Sequence, residues 1–129
     1  MTILSYKDRH TSYKRNSNII VYPWFLERCF VLVSSLHSNA GVFVNDGEPG
    51  LLQDVDEWLN RIAPHRDDYH HGPRGESNAG AHLQNLLLHH QVLVSLNDGK
   101  LELGPWQQVV YAELDGQRPK RILIKVCGE

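Results

Sequence analysis

Cysteine is nearly absent from this chain: Cys29 and Cys127 lie far apart, and neither belongs to a C-x-x-C pair. That excludes a disulfide framework and a zinc ribbon, and reads as two buried or incidental thiols in a reducing compartment. Long apolar runs are missing too, and none approaches the roughly 20 residues needed to cross a bilayer. The start lacks a basic-then-apolar leader pattern, so a cytoplasmic location is expected. Charge of one sign is not in excess. Lys and Arg number 13 against 15 Asp and Glu, a formal net charge of −2, which gives no field to draw in nucleic acid or an anionic membrane. No Walker loop, no G-x-G-x-x-G and no G-x-S-x-G elbow occurs, so nucleotide and serine-hydrolase chemistry have no support.

What is present suits one folded domain spanning residues 1–129, with 41% hydrophobic residues and 22% charged. The stretch through residue 17 is polar and aperiodic, a solvated arm or an edge strand. Asn18 to Trp24 suits an edge strand stopped by Pro23. Phe30 to His37 reads as a buried strand and Gly41 to Asn45 as a second, with a bulge or tight bend at Asn39-Ala40-Gly41. Leu51, Leu52, Val55, Trp58, Leu59 and Ile62 recur at helical spacing between Gly50 and Pro64, which predicts a helix over 50–62. Residues 63–77 form a long loop rich in proline, glycine, charge and histidine, and loops of that length in compact domains are often functional. Asn78 is placed as N-cap of a helix over 79–88, with Leu83, Leu86 and Leu87 as its apolar stripe. Val92–Leu96 and Leu101–Leu103 flank Asn97-Asp98-Gly99, a hairpin signal. Trp106–Leu114 and Arg121–Cys127 are two further strands. The class is α+β, with a mostly antiparallel sheet and two helices.

Histidine carries the chemical interest. His37 closes a strand, His71 lies in the long loop beside His70, and His82 sits in the first turn of the second helix. Imidazole is the commonest metal ligand and titrates near neutral pH. Three of them at element ends are expected to line one pocket, at or near a subunit boundary, as a metal or acid–base site. Zn²⁺ needs three or four ligands, and His37, His71 and His82 supply three nitrogens, with His70 the alternative from the loop. His65, His89 and His90 read as exposed. Asp54 and Glu113 are the carboxylates expected behind the imidazoles, to fix a tautomer or act as a base. On pattern alone both read as exposed: Asp54 is one residue off the apolar helix face, and Glu113 is opposite in parity to Val110, Ala112 and Leu114. Asn39, Asn45 and Asn78 at element ends are candidates to contact a phosphate-containing ligand, and capping and turn roles explain them equally. Trp106 suits a core or a subunit interface, and Gln107 beside it a ligand or a neighbouring chain.

Several short segments in fixed order resemble a known family. His37-Ser38-Asn39-Ala40-Gly41 followed by Asn45-Asp46 resembles the H-[ST]-x-A-G-x-x-x-N-[ED] element of the YjbQ family of secondary thiamine-phosphate synthases. Leu51-Leu52-x-Asp54, Trp58-Leu59, Tyr69-His70-His71 and Asn78-Ala79-x-Ala81-His82-Leu83 follow in that family's order. So do Gly99-x-Leu101-x-Leu103-Gly104-x-Trp106-Gln107, Glu113-x-Asp115-Gly116, Arg118 and Gly128-Glu129. The likeness spans about residues 30–129 and leaves the first 29 divergent. Leu87-Leu88-His89-His90-Gln91 stands where that family has an L-L-G-x-S turn, and Gln117 stands where proline is usual. The resemblance implies a half-barrel-like α+β fold, a homotrimer and a divalent ion, Zn or Mg, or an anion at the matching histidines. It also implies weak transferase activity joining a pyrimidine diphosphate to a thiazole phosphate. A non-catalytic small-ligand or metal-binding module is the alternative from another class.

Overall fold

The computed structural model describes residues 12–13, 28–71, 78–116 and 119–128. The edge strand expected at Asn18 to Trp24 lies outside the described residues. Strand β1 (Ser12–Tyr13) is followed by β2 (Arg28–Ser35), β3 (Ala40–Asp46), α1 (Pro49–Ile62), α2 (Ala79–Leu88), β4 (Gln91–Asn97), β5 (Lys100–Leu101), β6 (Gln107–Glu113) and β7 (Ile122–Gly128). One sheet has the order β5-β4-β2-β7 and the other β1-β6-β3, with every pairing antiparallel. The chain is α+β, as its pattern implies, and the sheets do not close into a barrel.

Alternation sets the first core. Cys29, Val31 and Val33 of β2 point inward with Val94 and Leu96 of β4, and they meet Val42, Val109 and Tyr111 from the other sheet. Phe30 of β2, Leu93 of β4 and Leu123 of β7 face outward on that sheet and are exposed, as period-2 geometry requires. Asp98 (φ 48°) and Gly99 (φ 72°) make a two-residue turn that pairs Asn97 with Lys100. Two successive positive φ values match strand twist, the reason Asp-Gly is favoured there. The second strand of that hairpin is short, ending at Leu101 rather than Leu103.

The second core lies on the other face of the three-stranded sheet, where Leu52 and Leu59 of α1 and Ala81 and Leu88 of α2 cover Val110, Ala112 and Leu114. Strand β6 is therefore buried on both faces. This overturns the exposure expected of Glu113: facing away from Val110 and Ala112 means facing the other core, and Glu113 is only 5% exposed. Helix α1 begins one residue earlier than expected, with Pro49 in its first turn and Glu48 as cap. The Glu48 carboxylate accepts from the amides of Gly50 (2.8 Å) and Leu51 (2.7 Å), and those bonds hold it below the usual carboxylate range.

Helix α2 is where the pattern misleads most. Its leucine stripe faces solvent: Leu83 and Leu87 are exposed, and Leu86 is 72% exposed. The face that docks is made of Ala79, Gly80, Ala81, Gln84, Asn85 and Leu88. Small residues allow close approach, and two buried amides tie the helix to neighbouring carbonyls. Gln84 donates to Ala63 O (2.9 Å) just past α1, and Asn85 donates to Ser38 O (3.0 Å) in the β2–β3 turn. Buried carbonyls need such partners, so polar satisfaction together with Leu88, and not the Leu83-Leu86-Leu87 stripe, orients this helix. Gly41 of β3 lies beneath it, and a Cβ there would stand 2.9 Å from Leu88 Cβ and 3.1 Å from Asn85 Oδ1. Gly41→Ala is expected to cost about 1–3 kcal/mol, measured by urea denaturation; a neutral result would mean that α2 is not packed tightly on β3.

Candidate functional site

The residues that converge do so because three chain reversals meet at one end of the two sheets. After β2 the chain turns at Ser38-Asn39, with Ala40 N donating to His37 O (3.4 Å), and crosses into the other sheet as β3. At the same end β6 reaches Glu113, paired with Ala40. Asp115 and Gly116 (φ 68°) follow, and Pro119-Lys120 leads into β7. Asn78 opens α2 there, and the backbone amide of His82 donates to Asn78 O (3.2 Å). The result is a cleft of about 460 Å³ lined by Leu36, His37, Ser38, Asn39, His71, Asn78, His82, Pro119 and Lys120.

The three expected imidazoles share this cleft. The His71 and His82 rings meet edge to face, centroids 5.0 Å apart and planes at 72°. His37 Nε2 is buried and has no hydrogen-bond partner among the described residues. Asn78 caps α2 by position only: its side chain makes no capping bond, and its Oδ1 is buried without a partner among the described residues.

A buried ionic network stands behind the wall. Lys120 Nζ lies 3.0 Å from Glu113 Oε1 and 3.4 Å from Asp115 Oδ2, with all three side chains almost wholly enclosed. Glu113 Oε1 also accepts from the amides of Asp115 and Gly116 (3.1 Å each), and its Oε2 accepts from the Tyr111 hydroxyl (3.1 Å). Burial, and then the adjacent carboxylate, push the Tyr111 phenol above its usual range, so it remains a neutral donor. Asn39 Nδ2 donates to Asp115 Oδ2 (3.0 Å), tying the β2–β3 turn to the same network.

Comparison with known proteins decides the lineage. The family model described as UPF0047 protein YjbQ-like matches residues 18–129. The chain belongs to the YjbQ-like UPF0047 family. A UPF0047 protein of Archaeoglobus fulgidus is 40% identical over 106 residues, covering 78% of this chain and 83% of that one. A UPF0047 protein of Methanothermobacter thermautotrophicus is 37% identical over 97 residues, covering 75% and 67%. Among solved structures, a hypothetical protein of Aeropyrum pernix superposes with TM-score 0.81 at 26% identity, covering 100% of this chain and 96% of that one. A YjbQ/UPF0047 protein of Clostridium acetobutylicum gives 0.80 at 25% identity, covering 97% and 100%.

The YjbQ-like motif residues divide between two ends of the molecule. His37, Asn39, His71, Asn78 and His82 line the cleft. Asn45 and Gln107 do not: the β3–β6 ladder runs from Ala40↔Glu113 to Asp46↔Gln107, which at ~3.4 Å per residue sets its ends roughly 20 Å apart. Asn45 Oδ1 accepts from Asp46 N (2.9 Å), and Gln107 Oε1 accepts from Gly104 N (2.8 Å), local turn roles for both. Asp54 is exposed on α1, because Leu52 and Leu59 hold the buried side of that helix. His70 is exposed and outside the cleft lining, so His71 is the loop's contribution. Glu113 does not line the cleft itself; its carboxylate meets it through Lys120, 3.0 Å away. Lys120 and Tyr111 were not singled out by sequence, and Asp115 entered only as a motif residue. For a divalent ion the test is spacing, and among the described residues no three His, Cys, Asp or Glu side chains are grouped to hold one. Among the described residues no helix is long and apolar enough to cross a membrane.

Proposed function

We propose that this cleft is the active site of a small-molecule transferase, with thiamine-phosphate synthesis the reaction to assay first. One observation carries the reading: imidazoles from a strand end, a loop and a helix start line one cleft, where His37 Nε2 is buried with no partner among the described residues. Buried polar atoms in native proteins are almost always satisfied, so an orphan facing a cleft marks a place where a ligand or water belongs. Joining a pyrimidine diphosphate to a thiazole phosphate releases pyrophosphate, whose developing charge needs donors. The rings of His71 and His82, one at the cleft's exposed side and one half-buried, are the groups suited to donate to it. Product formation from these two substrates by the wild-type chain and by His82→Ala is the test; no turnover in the wild type would remove the transferase reading.

A non-catalytic binding module remains the second reading because no carboxylate lines the cleft among the described residues. Binding of the pyrimidine diphosphate without turnover, measured by calorimetry, would favour it.

Association is part of the proposal. The exposed Leu83, Leu86 and Leu87 of α2, with Trp58 and Ile62 exposed on α1, give the helix layer the apolar surface that marks contact sites. A second copy is the occupant, in the cyclic trimer that the family resemblance implies. Light scattering is expected to give three times the 14.8 kDa chain mass, and Leu86→Glu to lower it. A monomer mass for the wild type at working concentration would refute association.

A further inference from the structure

We infer that Asn85 is a positioning residue for the cleft: through Ser38, its amide fixes where His37 stands relative to His82. The inference rests on reading the cleft as a ligand site, and it goes further because Asn85 is not itself among the cleft-lining residues.

The reversal that carries His37 is held at its base and at its tip by different means. At the base, backbone carbonyls just past α2 serve the strand ends: His90 O accepts from Ser35 N (2.7 Å) and His89 O from Val42 N (3.1 Å). At the tip, side chains do the holding. Asn39 Nδ2 donates to Asp115 Oδ2 (3.0 Å), and Asn85 Nδ2 donates to Ser38 O (3.0 Å). The second bond joins the residue after His37 to α2 itself, three residues beyond His82, which is about 4.5 Å along a helix axis. Gly41 leaves the room for it, since a Cβ there would stand 3.1 Å from Asn85 Oδ1.

Polar satisfaction alone explains Gln84 better than it explains Asn85. Gln84 Nε2 serves Ala63 O (2.9 Å), on a residue only 3% exposed, and also Asn60 Oδ1 (3.2 Å). Those bonds dock α2 against α1, and neither partner lines the cleft. Asn85 is also buried, yet its amide goes to Ser38, an exposed residue. Each of the two amides leaves its own oxygen buried and unpaired among the described residues, which costs stability. What the Asn85 amide secures is the turn tip beside a cleft histidine.

The test compares Asn85→Leu with Gln84→Met, each of which removes one buried amide from the same helix. Binding of the pyrimidine diphosphate of the proposed reaction is followed by calorimetry, and the His37 ring by ¹H–¹⁵N NMR of the full chain. Asn85→Leu is expected to weaken binding about tenfold, the weight of one hydrogen bond, and to shift the His37 ring in the free protein. Gln84→Met should lower Tm at least as much, yet leave the Kd within about twofold and the His37 ring unmoved. Equal weakening by both variants, or none by Asn85→Leu, would overturn the inference while leaving the cleft a ligand site. If the wild type does not bind the diphosphate, the transferase reading falls and the free-protein ring decides. A His37 shift in Asn85→Leu but not in Gln84→Met then upholds positioning, and equal or absent shifts overturn it. Should Asn85→Leu not fold, the wild-type titration decides. The Asn85 side-chain amide is expected to move on the same saturation curve as the His37 ring while the Gln84 amide stays still; an unmoved Asn85 amide would overturn the inference.

Discussion

Lys120→Met is expected to destabilise the fold by about 3–5 kcal/mol, the range for removing one partner of a buried ion pair. The ammonium is enclosed with both of its carboxylate partners, at 3.0 and 3.4 Å, so neither the charge removed nor those left behind are well served by water. A methionine fills the volume but donates nothing. For a domain of this size the loss corresponds to a fall in Tm of roughly 10–20 °C. Glu113 keeps the amides of Asp115 and Gly116 and the Tyr111 hydroxyl, which limits the damage to the ionic part. Glu113→Gln in the Lys120→Met background should recover stability relative to the single change, because it removes the carboxylate charge left without its ammonium. A double-mutant cycle reads that coupling directly. A Lys120→Met protein within 1 kcal/mol of wild type would mean that the network is solvated and does not brace the cleft.

The second large effect concerns chemistry. His82→Ala is expected to lower turnover in the proposed transferase reaction by about 10²–10⁴-fold, the usual contribution of a positioned general acid or base. Its stability cost should be small by comparison, because the side chain is only half-buried and the helix gains alanine, the best helix former. The separation of the two readouts gives the experiment its force. A variant that loses activity together with several kcal/mol of stability would point to a packing role. A variant that keeps full activity would remove His82 from the chemistry, and with it the edge-to-face His71–His82 pair as a donor unit.

The fold was legible wherever one face of an element is buried and the other wet. Strand β7 alternates cleanly, and the Asp98-Gly99 turn announces its hairpin through a backbone requirement that few residues meet. Legibility failed where a face is covered by something other than water. Strand β6 has a core on each side, so parity could not place Glu113. Helix α2 carries its leucines on a side that no described residue of its own chain covers, and buries Gln84 and Asn85 to satisfy carbonyls distant in sequence. No local pattern reports a hydrogen bond from Asn85 to Ser38, 47 residues away. In the candidate site, the histidines were legible because imidazoles at element ends are chemically conspicuous. Lys120 was not, since a lysine beside an arginine before a strand looks like any solvated charge. Asn45 was drawn in as an asparagine at an element end and Gln107 by its place beside Trp106, and the length of the β3–β6 ladder separates them from the cleft.

The claim on which the rest depends is that His37, His71 and His82 serve one ligand. Histidine-ring ¹H–¹⁵N NMR of the full chain, titrated with the pyrimidine diphosphate of the proposed reaction, tests it most directly. The three rings are expected to shift together along one saturation curve with a common Kd, while His89 and His90, which do not line the cleft, remain still. Rings that move with different midpoints, or a response at His89 and His90 with none at His37, would contradict a shared site.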